Sequence, residues 1–124
     1  MLFSAILILN AAIAQETGQC TTAESTALFQ AGFESQKSLD TDAALASYQA
    51  CLRSDPNCVA CLYEIGWTHW TRSEWDEVVA TWQKVKSLAP THGAAVTWLP
   101  QAIERRDGNQ VGGENPVHVP IGTQ

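Results

Sequence analysis
The sequence predicts an all-α protein: a short α-solenoid of two helix-turn-helix units closed by a capping helix. Three observations predict it. Apolar residues recur at three- and four-residue spacing, the period of a helix that buries one face. The pattern returns after 34 residues, with Gly32 recurring as Gly66, Tyr48 as Trp82 and Pro56 as Pro90. Repetition at such a period marks stacked structural units. Each unit also closes on a proline, which cannot continue a helix.

The first helix begins near Ala23 and carries Leu28, Ala31, Gly32 and Ser35 on one face. Asp40-Thr41-Asp42 then makes a turn, in which a short carboxylate can accept from the free N–H groups of the next helix. That second helix presents Ala44, Leu45, Tyr48, Cys51 and Leu52 inward, and Ser54-Asp55-Pro56-Asn57 stops it. The third helix repeats the first with Leu62, Ile65, Gly66 and His69. Ser73-Glu74 breaks it, and the fourth follows with Val78, Val79, Trp82 and Val85, ending at Pro90. The fifth, over 94–106, lines up Val96, Leu99 and Ile103. Pro100 inside it implies a kink or a displaced start. Gly108 is a terminator, with Arg105 and Arg106 suited to the negative end of the helix dipole. The helical domain thus spans 23–106, with repeats at 25–58 and 59–92, and 107–124 reads as a flexible Gly- and Pro-containing tail.

Residues 1–14 read as a secretory signal. Leu2 to Leu9 is apolar apart from Ser4, and Ala12-Ile13-Ala14 is a small-x-small cleavage site. Neither Lys nor Arg precedes the apolar run. Cleavage would leave a polar lead, 15–22, and place the protein in the periplasm or outside the cell, with no membrane insertion afterwards. A formal charge of −6 argues against nucleic acid and against anionic membrane surfaces. In an oxidising space, the four cysteines read as disulfides, with three possible connectivities.

The repeated pattern resembles tandem tetratricopeptide repeats. Gly32, Ala44, Tyr48 and Pro56 stand where that family places its small, small, aromatic and closing residues, and Gly66, Val78, Trp82 and Pro90 do so again. The likeness covers about 23–106. It departs at Leu39 and Ser73, where the family often has a turn glycine, and at Val78, which is larger than the usual alanine. The resemblance implies that the first helix of each repeat lines a concave groove. Phe29, Phe33 and Lys37 from the first copy, with Tyr63, Trp67 and Trp70 from the second, would then form an aromatic stripe. Such a stripe either receives a peptide or helix or is covered by the chain itself or by a second copy in a homodimer. Phe29 and Phe33 stand where some members clamp a carboxylate, which argues against that mode.

Antiparallel helix pairs would gather Cys20, Cys51, Cys58 and Cys61 at one end of the stack. Disulfides are the expected state. The Cys58–Cys61 spacing also fits a redox dithiol, and four thiols can hold tetrahedral zinc. Leu62 occupies the position that haem attachment would require as His. No metalloprotease, hydrolase-elbow or phosphate-loop motif is present, and His69, His92 and His118 have no companion nucleophile. The expectation is a non-enzymatic protein- or peptide-binding module without a cofactor. The alternative is a thiol-dependent redox or zinc-binding helical protein.

Overall fold
The computed structural model describes residues 20–108, and every regular element within them is helical. The signal at 1–14, most of the polar lead and nearly all of the tail lie outside the described residues. Five α-helices follow in order: α1 (Ala23–Lys37), α2 (Thr41–Ser54), α3 (Val59–Thr71), α4 (Trp75–Leu88) and α5 (Leu99–Arg106). A single π-helical turn, Ala94–Trp98, leads into α5. No helix among the described residues is long and apolar enough to cross a membrane.

The helix starts follow local chemistry. Thr22 caps α1 by accepting from the Ser25 N–H, and Ser25 Oγ reaches back to the Thr22 N–H. Asp40 caps α2 through the Ala43 N–H at 3.1 Å, as its place in the turn predicted. Pro100 falls in the first turn of α5, directly after the π-turn, where helical backbone runs on from Ala94 and the Leu99 N–H still reaches Ala94 O. The wider π-turn absorbs the residues before it. Gly108 ends the helix with φ of +81°.

Turn hydrogen bonds recur at the 34-residue offset. The Asp40 N–H donates to Ser35 O at 2.9 Å, and the Glu74 N–H to His69 O at 3.0 Å. The Asp55 N–H donates to Cys51 O at 2.8 Å, and the Ala89 N–H to Val85 O at 2.7 Å. Leu39 and Ser73, at equivalent places in the two turns, both take a left-handed backbone, with φ of +62° and +57°. Each turn therefore adopts this conformation without glycine, the residue that makes it easy.

Each hairpin closes on one glycine facing one aromatic ring. A Cβ on Gly32 would lie 2.5 Å from Tyr48 Cε1, and one on Gly66 would run into the Trp82 indole. Tyr48 and Trp82 are both fully buried. Two core clusters result. One holds Phe29, Ala44, Tyr48, Ile65 and the buried cysteines. The other holds Leu62, Trp67, Trp70, Val78, Trp82, Val85, Leu99 and Ala102. Ala31, expected on the inner face of α1, is exposed instead, and α1 turns Phe29 and Phe33 inward.

Candidate functional site
Two places in the fold gather chemistry. The first is the end of the bundle where α1 and α3 begin and α2 finishes. Cys20 is bonded to Cys58, with Cα atoms 4.5 Å apart, and Cys51 to Cys61, with Cα atoms 6.7 Å apart. No cysteine is left free among the described residues. The expected gathering of all four is thus observed, and of three possible pairings the structure takes one of the two in which both bonds run to the start of α3. Cys51, Cys58 and Cys61 are fully buried, and Cys20 is half-buried.

Beside the sulfurs lies Asp55, a residue the sequence marked only as part of a helix stop. It is buried, and its Oδ2 accepts from the Thr21 N–H at 2.7 Å, the Thr21 hydroxyl at 3.0 Å and the Ser25 hydroxyl at 3.2 Å. Burial works to raise its pKa. The donors of Thr21, Ser25 and the Asn57 backbone outweigh burial and hold the carboxyl below its usual range. The effect is a charge-assisted tie between the lead into α1 and the end of α2. An acidic residue in a helix-stopping Asp-Pro pair was the available signal, but the sequence offered no view of its donors.

The second place is the predicted groove. Phe29, Phe33, Trp67 and Trp70 are buried, Tyr63 is half-buried, and Lys37 is exposed. The structure sorts them into two groups. Phe29 stacks on Phe33 and lies against Tyr48, with Lys37 Nζ 5.1 Å from the Phe33 ring centre. Tyr63, Trp67 and Trp70 join Trp82 in a continuous ring cluster. The closing segment covers this second group. Trp98 meets Trp67 edge-on at 5.5 Å, and the Arg105 guanidinium sits 5.0 Å from the Trp70 ring and 5.4 Å from Trp75. Most of the predicted stripe is therefore core, because the capping segment packs on the face that α3 turns toward it.

What stays open is the end of the groove at the intra-hairpin turn. A cavity of about 190 Å³ lies there, lined by Gln36, Leu39, Thr41, Ala44, Trp67, Thr68 and Thr71. Trp67, a groove position of the sequence reading, supplies an apolar wall. Leu39 is 87% exposed at the rim. Behind the cavity, the Tyr48 hydroxyl donates to Gln36 Oε1 at 2.5 Å, and Gln36 Nε2 donates to Glu64 Oε2 at 3.3 Å. This chain joins α2, α1 and α3 and fixes the Gln36 amide. Glu64 is fully buried. Its signal was a lone acid inside the apolar run from Cys61 to Trp67, since such residues are rarely buried without partners.

His69 Nδ1 and Glu74 Oε1 are 3.3 Å apart across the second hairpin turn. The His92 ring accepts the Ala94 N–H at Nδ1 and meets Tyr63 edge-on. Burial lowers the His92 pKa. Both histidines thus act as packing and turn residues here. No protein-family model matches the chain, and no curated protein matches it.

Proposed function
We propose that the protein is a non-enzymatic interaction module of an extracytoplasmic compartment, with two tetratricopeptide-like repeats and a cap, that holds a peptide or helix at the open end of its groove. The observation that carries this reading is the cavity between α1, α2 and α3. Its size suits one apolar side chain, its wall offers Trp67 and Ala44, and Thr41, Thr68 and Thr71 also line it. Apolar lining with a few placed polar groups is the usual make-up of a recognition pocket. The recurrence of turn geometry at 34 residues and the two glycine–aromatic contacts support the repeat reading. The two disulfides support an oxidising compartment.

The test selects random displayed peptides on the oxidised protein and titrates the binders against Thr71→Trp, which fills the cavity from its exposed rim. Affinity is expected to fall at least about tenfold while helical circular dichroism is retained, roughly the loss of one buried anchor. Unchanged affinity in the filled variant would remove the cavity from the binding site.

A further inference from the structure
The four sulfurs form one cluster rather than two isolated bridges. All four Sγ atoms lie within 4.8 Å of one another. Cys20 Sγ, bonded to Cys58, is 3.5 Å from Cys51 Sγ and 3.8 Å from Cys61 Sγ, the two atoms of the other bond. Cys20 is also the one member that is only half-buried, its three companions being fully buried. Cys58 occupies the N-cap of α3 with no side-chain capping bond, and Cys61 lies in the first turn.

We propose that this cluster is a thiol–disulfide exchange centre whose co-substrate is an external dithiol. Two electrons enter at Cys20 and move the surviving bond to Cys20–Cys51, leaving Cys58 and Cys61 as a dithiol at the head of α3. A thiolate of the reductant attacks Cys20 Sγ. The bond to Cys58 breaks, and Cys58 leaves as a thiolate that the helix N-terminus stabilises. The second thiol of the reductant attacks the reductant's own sulfur in the mixed disulfide, departs as a cyclic disulfide and frees the Cys20 thiolate. Cys20 then attacks Cys51 Sγ. The Cys20–Cys51 bond forms, the Cys51–Cys61 bond breaks, and Cys61 keeps the electron pair. The two protons lost by the reductant end on Cys58 and Cys61. One dithiol has become a disulfide and one protein disulfide has become two thiols.

The consequence lies in connectivity. In the oxidised chain both bonds tie the start of α3 to what precedes it, Cys20 ahead of α1 and Cys51 in α2. After exchange the single remaining bond joins Cys20, ahead of α1, to Cys51 in α2. Two electrons thereby release both covalent links to the second hairpin, although only one disulfide is consumed.

The oxidised chain is treated with one equivalent of dithiothreitol, quenched in acid, alkylated and peptide-mapped. The expected product carries label on Cys58 and Cys61 and a Cys20–Cys51 cross-link. Label on Cys20 and Cys58 with Cys51–Cys61 intact would overturn the exchange step. Label on Cys51 and Cys61 alone, on all four cysteines or on none would overturn the assigned point of access. In Cys51→Ala/Cys61→Ala, where no exchange partner remains, the same treatment is expected to label Cys20 and Cys58. Failure to label them would overturn attack at Cys20.

Discussion
The two hairpins share a backbone and differ in what holds them. The first, α1 with α2, has a modest apolar core: Phe29, Ala44, Tyr48 and the cysteines themselves. It is fastened within itself by the donors gathered on Asp55, and the Cys20–Cys58 and Cys51–Cys61 bonds tie its end to the start of α3. The second, α3 with α4, has Trp67, Trp70 and Trp82 with Trp75 and Trp98 around them. A large aromatic side chain buries 150–250 Å², and pairs of them add about 0.5–1.5 kcal/mol beyond that area. One geometry is thus supported by polar ties and by covalent links to its neighbour in one hairpin, and by ring packing in the other. Two hairpins and a closing helix make a small core, and each hairpin is reinforced differently.

Removing the staples is expected to have the largest effect. The Cys20→Ala/Cys58→Ala pair opens a link across a sequence separation of 38, and chain-entropy reasoning gives a loss of about 4 kcal/mol. Cys51→Ala/Cys61→Ala opens a separation of 10 and should lose about 3 kcal/mol. Urea unfolding followed by tryptophan fluorescence measures both, and the order of the two midpoints is the discriminating result. Next come the glycines. Gly66→Ala forces the Trp82 indole aside, while Gly32→Ala drives into the edge of the Tyr48 ring. Overpacking at closed sites costs about 1–3 kcal/mol. Gly66 should fall at the upper end, because the Trp82 ring is held by Tyr63, Trp67 and Trp70. Equal losses at the two positions would mean that the ring cluster is more yielding than its contacts imply.

The hairpins should also separate by pH. His92 packs on Tyr63, and burial lowers its pKa. The unfolded chain therefore binds the proton more readily than the folded one, and stability contributed above about pH 6.5 is lost as pH falls through the depressed value. Asp55 likewise has a lowered pKa. Its contribution is full above about pH 3.9 and disappears as pH falls through the folded value. Two acid steps are expected in a plot of unfolding free energy against pH. His92→Gln should flatten the upper step and Asp55→Asn the lower. Asp55→Asn should also lose about 1.5–3 kcal/mol at neutral pH, as hydrogen bonds to a buried charge weaken. A single step, or one that survives both substitutions, would break the assignment.

How much of this was legible depended on whether a contact is local. The helices, the Asp40 cap and the stop at Pro56 were readable because each follows from residues within a turn or two of one another. The glycine–aromatic contacts were readable because they recur. The gathering of Cys20, Cys51, Cys58 and Cys61 followed from helix order, but their pairing did not, since three sulfurs lie within reach of Cys20. The role of Asp55 depends on Thr21, 34 residues away, and no periodicity announces it. The sequence left open whether the aromatic stripe is exposed or covered: Trp67 and Trp70 have helical spacing that fits either a surface or a core, and only the placement of Trp98 and Arg105 puts them in the core.

The smallest expected effect concerns the feature that the hairpins share. Leu39 and Ser73 hold positive φ at equivalent turns, a conformation that costs a residue with a Cβ roughly 1–2 kcal/mol. Glycine relieves that strain but raises the entropy of the unfolded chain, so the net gain should be about 0.5–1 kcal/mol for each substitution. Leu39→Gly has a second consequence, because Leu39 stands exposed at the rim of the cavity. If that leucine is retained for contact with a partner, Leu39→Gly will stabilise the protein and weaken peptide binding, whereas Ser73→Gly will stabilise it and leave binding unchanged. Thermal midpoints and peptide titrations on the two variants separate the outcomes. A matched pair, with both or neither losing affinity, would assign Leu39 to the turn alone.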